Sequence, residues 1–288
     1  MKQKNKHIDL RSKQEKDADD FFSKAGIEYK ASKEEIWEKL SSKLDKNPDK
    51  KIILKPYRLF FRVAAIFLVL ISITAFLRFY TKTIVCPKGE HISALLPDNS
   101  LVELNAQSTL KYNPLWWPLS RQVNFEGEGF FNVAKGEKFK VSSEIGTTIV
   151  LGTSFNIYSR DDQYKVTCIS GSVKVVSLTN KSAVIGPNNL AEIKNTGEIT
   201  VSSDIKSDIS VSWTNNMFIF SSHPIIQAIK EIERQYNITI TNNINKDLYY
   251  TGFFSKNKSI EEVLDLVCIP FDFTFVKKSD NEYHISQN

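Results

Sequence analysis

Fifteen consecutive residues without a charge, VAAIFLVLISITAFL at 63–77, constrain this chain more than any other feature. At 1.5 Å per helical residue they fall short of a hydrocarbon core of about 30 Å. The flanks supply the difference. Leu59, Phe60 and Phe61 precede the run, and Phe79 and Tyr80 follow it. Arg62 and Arg78 have stems long enough to carry their guanidinium groups to the two interfaces. A single bilayer crossing over 59–80 is expected, with aromatic residues at its edges. The competing reading is a buried core helix, which would normally show a polar stripe, and none runs through 63–77. A cleaved signal peptide fits less well still, because the run lies far from Met1 and no small-x-small site follows it.

Charge sets the expected orientation. Lys46, Lys50, Lys51, Lys55, Arg58 and Arg62 crowd the N-terminal flank, against Arg78, Lys82 and Lys88 on the other. The positive-inside rule then puts the N-terminal head in the cytoplasm and the rest outside the inner membrane. Of the net charge of +5, residues 1–56 carry +4, from 15 Lys+Arg against 11 Asp+Glu. No basic stripe interleaved with aromatics suggests direct nucleic-acid binding. Cys86, Cys168 and Cys268 are odd in number and widely spaced, which fits neither a disulfide framework nor a zinc motif. Cys168 and Cys268 lie in apolar runs and read as small core residues.

In the head, residues 1–20 are polar, and Phe21-Phe22 suggest a short buried patch. A helix is expected over 32–44, SKEEIWEKLSSKL. Ser32 and Glu35 form a capping box, and Asn47-Pro48 stops the helix. Ile36, Trp37, Leu40 and Leu44 fall on one face at helical spacing. So short a head builds no large core, so this face either closes a small helical unit or docks into a partner's groove.

From about 84 to 210 the pattern changes to short β-branched runs between Gly, Asn, Pro and Asp turns, predicting an all-β domain, a rolled sheet or solenoid-like. The expected strands are 100–104, 110–112, 121–126, 129–133, 139–142, 147–151, 155–159, 165–169, 172–177 and 190–193. Most of these residues read as scaffold. Asn105 is expected to bond a neighbouring backbone, and Asp161 and Asp162 to sit solvated in a polar turn.

The same stretch resembles the periplasmic domain of the FecR family. PDNSLVELNAQS at 97–108 is similar to its DGS-x-V-x-LNA-x-S opening, and Arg121-Gln122-Val123 with EGEGFFNV at 126–133 to its R-x-V…GEAYFEV block. Phe139-Lys140-Val141, then VLGTSFNI at 150–157 and GSVKV at 171–175, continue the order. Asn99 departs from the usual turn glycine, and Asn189 from a Pro-Gly turn. In some FecR-like proteins a Gly-Thr bond at this block breaks spontaneously. At Gly152-Thr153 the threonine hydroxyl would attack the preceding carbonyl and shift the acyl group from N to O before hydrolysis. A plain tight turn is the alternative.

Residues 213–288 predict β-α-β-β-α-β-β, a small α+β sandwich. A helix is expected from Ser222 and Pro224 through Arg234, with Ile225, Ile226, Ala228, Ile229 and Ile232 on its apolar face. A second is capped by Ser259 with Glu262, and a hairpin turns at 279–281. Phe218-x-Phe220…Pro224-Ile225…Tyr236-Asn237-Ile238 resembles the STN-like module shared by secretins and TonB-dependent receptors.

Catalytic motifs are lacking. His7, His91, His223 and His284 are scattered, no H-E-x-x-H or G-x-S-x-G occurs, and Gly127-x-Gly129 has Asn132 in place of a third glycine. No cofactor or metal is implied, and no enzyme is expected beyond self-cleavage. The resemblance implies a multi-domain transmembrane anti-sigma factor. Its parts would be a cytoplasmic sigma-binding head (1–56), a helix (59–80), a periplasmic FecR β domain (84–210) and an STN-like α+β domain (213–288). The implied partners are a cytoplasmic sigma factor of the extracytoplasmic-function class, the N-terminal signalling domain of a TonB-dependent outer-membrane receptor, and an intramembrane protease. The alternative is a membrane-anchored periplasmic binding or structural protein with no sigma partner.

Overall fold

The computed structural model describes residues 16–21, 23–26, 31–44, 56–244 and 247–287. Phe22, the polar stretch before 16 and the expected Asn47-Pro48 stop lie outside them. The chain divides into two compact units, Met1–Ile66 and Phe67–Asn288.

In the first unit, Phe21 sits in a short helical segment and is exposed rather than buried. Helix α1, Lys33–Leu44, starts as its sequence dictates. The Ser32 hydroxyl accepts from the Glu35 N–H at 3.2 Å, and the Glu35 carboxylate accepts from the Ser32 N–H at 3.4 Å. Helix α2, Pro56–Phe79, whose residues from Phe67 on belong to the second unit, has 24 residues, a length of about 36 Å. It is long and apolar enough to cross a membrane, and none of its most apolar window is buried, unlike a core helix. Thr74, the one hydroxyl-rich interruption besides Ser72, returns its Oγ1 proton to the Leu70 carbonyl at 2.8 Å.

In the second unit thirteen strands form a rolled, near-barrel sheet. They are β1 Lys82–Cys86, β2 Ile92–Leu95, β3 Leu101–Leu104, β4 Ser108–Tyr112, β5 Arg121–Asn132, β6 Phe139–Ser142, β7 Gly146–Val150, β8 Ser154–Arg160, β9 Gln163–Ser170, β10 Val173–Ser177, β11 Ser182–Ile185, β12 Asn189–Ile193 and β13 Ile199–Ser202. The organising strand is β5. Its first half pairs with β4 and β6, its second half with β3 and β8. Two layers, β1-β4-β5-β6-β7-β10-β11 and β2-β3-β5-β8-β9-β12-β13, therefore share it. Val123, Phe125, Gly127, Gly129 and Phe131 alternate inward along β5, and Phe125 and Phe131 meet edge to face at 5.2 Å. The bend falls at Gly127, whose φ of 109° and closeness to the Ser108 backbone leave no room for a Cβ.

A linker with helix α3, Ser207–Ser210, leads to a smaller α+β region. It comprises β14 Met217–Pro224, α4 Ile225–Tyr236, β15 Thr239–Asn242, β16 Tyr249–Ser255, α5 Ile260–Cys268, β17 Phe273–Ser279 and β18 Glu282–Gln287. The order is the expected β-α-β-β-α-β-β, in two sheets, β14-β16 and β15-β18-β17. Helix α4 begins later than expected, because Ser222 takes a φ of 48° in a bulge of β14 and Pro224 caps the helix. Ile225, Ala228, Ile229 and Ile232 are buried, and Ser259 with Glu262 completes the capping box of α5. All three cysteines are free and buried.

Candidate functional site

Two places carry side chains that ordinary folding does not explain. The first is the apolar face of α1. Its periodicity places Ile36, Trp37, Leu40 and Leu44 on one side of a well-capped helix, and no residue of α1 is buried. Trp37 and Leu44 are each 71 % exposed, Leu40 49 % and Ile36 39 %. Among the described residues nothing buries these four large apolar side chains, which makes the face a candidate docking surface.

The second is a polar clasp within the second unit, where the α+β region packs on the outer face of the layer built from β5, β8 and β9. Residues pointing out of that sheet look solvated in the sequence. Here they are covered. Glu128 and Phe130 of β5 lie opposite Tyr158 and Asn156 of β8. Phe130 joins the core of the α+β region, and the Trp213 indole N–H donates to Asn156 Oδ1 at 3.4 Å. Asn105 Nδ2 donates to Glu128 at 2.8 Å and Asn156 Nδ2 to its other oxygen at 3.1 Å. Gln235 of α4 donates to Asn105 Oδ1 at 2.6 Å and faces His91 Nε2 at 3.0 Å. Asn105 also accepts from the Ala106 N–H, the neighbouring-backbone bond expected of it.

Ion pairs close the clasp. Arg234 of α4 bonds Glu231 at 2.9 Å and Asp161 at 3.2 Å, and Lys230 lies 3.4 Å from Asp161. Asp161 and Asp162 both lie in an exposed turn, as expected, but the Asp161 carboxylate is drawn into ion pairs and its side chain is only 22 % exposed. Both take left-handed φ in the β8–β9 turn, which points the Asp161 carboxylate at α4. Burial opposes ionisation of Asp161 and Glu231. Arg234 and Lys230 outweigh it for Asp161, and Arg160 and Arg234 for Glu231, so both stay below the usual carboxylate range. Glu128 goes the other way: burial first, and then the Glu231 charge, push its carboxyl up. A cleft of about 720 Å³ opens beside the cluster, bordered by Trp213, Phe218, Phe220, Leu190 and Lys165.

Gly152 and Thr153 follow β7. The Thr153 hydroxyl donates to the Ser172 carbonyl at 3.0 Å, and the Thr153 carbonyl accepts from the Val133 N–H. Among the described residues no group of three His, Cys, Asp or Glu side chains could hold a metal ion. Sequence reasoning singled out the α1 face and Gly152-Thr153 but missed the clasp. Arg234 lies on the polar side of α4, opposite Ile225, so nothing in the helix pattern marked it.

Comparison with known proteins gives this arrangement a context. The family model described as "FecR protein" matches residues 82–174, and that described as "FecR, C-terminal" matches 217–285, together more than half of the chain. No curated protein matches significantly. Two crystal structures of a protein from Parabacteroides distasonis ATCC 8503, described as a "putative anti-sigma factor", share the fold at 29 % identity and a TM-score of 0.66. They cover 73 % and 72 % of this chain and 100 % and 99 % of their own. On these matches the chain belongs to the FecR family of signal-relaying anti-sigma factors.

Proposed function

We propose that this chain spans the inner membrane once and restrains or activates a cytoplasmic sigma factor in response to an outer-membrane TonB-dependent receptor. In this reading residues 1–56 are the sigma-binding head, 59–80 the span, 84–210 the periplasmic FecR domain and 213–288 an STN-like domain. The promoters controlled would serve nutrient uptake, of glycans or iron chelates. The observation that carries the proposal is the uncovered face of Ile36, Trp37, Leu40 and Leu44. An amphipathic helix offering i, i+1, i+4 and i+8 anchors suits a groove in a partner. Charge around α2 supports the orientation, with the cations concentrated before the helix.

A single helix transmits a shape change poorly, so the signal would pass by stepwise proteolysis, including cleavage within the membrane. That would release the head with its bound sigma factor. Self-cleavage at Gly152-Thr153 would be an earlier, independent step. Transcript profiles test the proposal in the native host. Wild-type protein should shift one co-regulated promoter set away from the deletion strain, and Trp37→Ala should not. Identical profiles for the wild type and the deletion strain would refute it.

A further inference from the structure

The strand register gathers several chain segments at one end of the rolled sheet. Lys82 at the start of β1 lies opposite Tyr112 at the end of β4, and Tyr112 opposite Val123 near the start of β5. Val123 in turn pairs with Val141 of β6, and Val141 with Thr148 of β7. Helix α2 enters at this end, with only Tyr80 and Thr81 between it and β1. The loop 113–120, NPLWWPLS, leaves β4 at the same place.

Asn113 fastens that loop to the helix terminus. Its Nδ2 donates to the Leu77 carbonyl at 2.8 Å and the Arg78 carbonyl at 2.9 Å, two acceptors that the helix leaves without an internal partner. Its Oδ1 accepts from the Leu115 and Trp116 N–H groups, both at 2.9 Å. The Arg78 guanidinium lies 5.8 Å from the centre of the Trp116 ring. Trp117 anchors the loop from below, buried edge-on against Tyr112 and Phe139. The loop is rigidly held, yet Leu115 is 45 % exposed and Leu119 73 %. Leu151, after β7 at the same end, is 64 % exposed.

We infer that this end of the β domain rests on the membrane that α2 crosses, with Leu115, Trp116 and Leu119 seated in the lipid interface. The occupant is set by continuity: the loop is hydrogen-bonded to the terminus of the spanning helix, so its exposed leucines lie beside the point where that helix leaves the bilayer. Tryptophan and leucine beside cationic side chains suit that layer, and exposed Arg78, Lys82 and Lys138 at this end match lipid phosphates. The inference rests on the transmembrane reading of α2. Its consequence is that the domain sits at a fixed height, docked rather than tethered.

The test is spin-label depth measurement on the full chain in vesicles of equimolar phosphatidylglycerol and phosphatidylethanolamine. Labels go at Leu119→Cys, at Leu70→Cys within α2, and at Asp280→Cys in a fully exposed hairpin; the native cysteines are buried. The expected ratio of oxygen to nickel collisions at 119 lies between those at 70 and 280. A ratio at 119 equal to that at 280, with 70 in lipid, would overturn the inference and leave the span intact. Protection of 119 from both reagents would overturn it in favour of a protein cover. A water-like ratio at 70 would overturn the span and this inference with it.

Discussion

Arg234 is the cation on which the clasp depends, and replacing it by methionine isolates its role. The guanidinium is 9 % exposed and serves Glu231, 13 % exposed, and Asp161, 22 % exposed. Methionine keeps the stem's packing and leaves two carboxylates short of a counter-charge. Breaking a buried pair costs about 3–5 kcal/mol. Lys230 and partial solvent access at Asp161, and the retained Arg160 charge near Glu231, place Arg234→Met at the lower end, about 3 kcal/mol. For a domain of this size that is a fall of about 6–12 °C in Tm. Asp161→Asn should cost only about 1 kcal/mol, and the double variant less than the sum, a coupling of about 1 kcal/mol. Asp161 and Glu231 are depressed in the folded state, so the stability they add is present above the usual carboxylate range of about 4 and lost as pH falls through their folded values. Glu128, raised, contributes in the opposite sense, its share being lost as pH rises through its folded value. The deficit of Arg234→Met should therefore be largest near neutrality and shrink on acidification. Calorimetry of the segment from Lys82 onward, at several pH values, reads all of this. A Tm unchanged at neutral pH, or a deficit that grows on acidification, would refute the electrostatic account.

Gly127→Ala should cost at least about 3 kcal/mol, since its φ of 109° disfavours any side chain and a Cβ would come within 2.6 Å of the Ser108 Cα. A melt within a degree or two of the wild type would show that the bend in β5 does not need glycine. If the Gly152–Thr153 bond breaks spontaneously, wild-type protein runs as two bands and Thr153→Ala as one. A single wild-type band would dismiss self-cleavage. The same variant loses the hydrogen bond to the Ser172 carbonyl and about 1 kcal/mol with it, visible as a small fall in Tm.

Local features were legible in the sequence. Both capping boxes, Ser32 with Glu35 and Ser259 with Glu262, depend on residues three apart and form as read. The α+β order followed from periodicity alone. Strands β1, β2, β11 and β13 were not expected, and each is an edge strand with one hydrogen-bonded neighbour. Each is only four or five residues long with at most one buried position, too short an alternation to stand out from the loops. Residues 121–126 and 129–133 read as two strands because Gly127 and Gly129 resemble turn punctuation. In the fold the glycines let β5 bend past Ser108 and under Phe125 without breaking. The clasp was illegible for a different reason. Asn105 and Gln235 are 130 positions apart, and Asp161 and Arg234 are 73. Polar residues on the outer face of a sheet look solvated until another element is known to cover them.

The central claim is that the head captures a sigma factor through the α1 face. The direct measurement is a pull-down of tagged residues 1–56 from the native cytoplasm, with mass spectrometry, beside the Trp37→Ala form. The account predicts a sigma factor on the wild-type head and its loss by at least about 30-fold on the variant, the effect of removing an aromatic anchor worth about 2 kcal/mol or more. A head that retains no sigma factor, or a variant that retains it equally, would contradict the account.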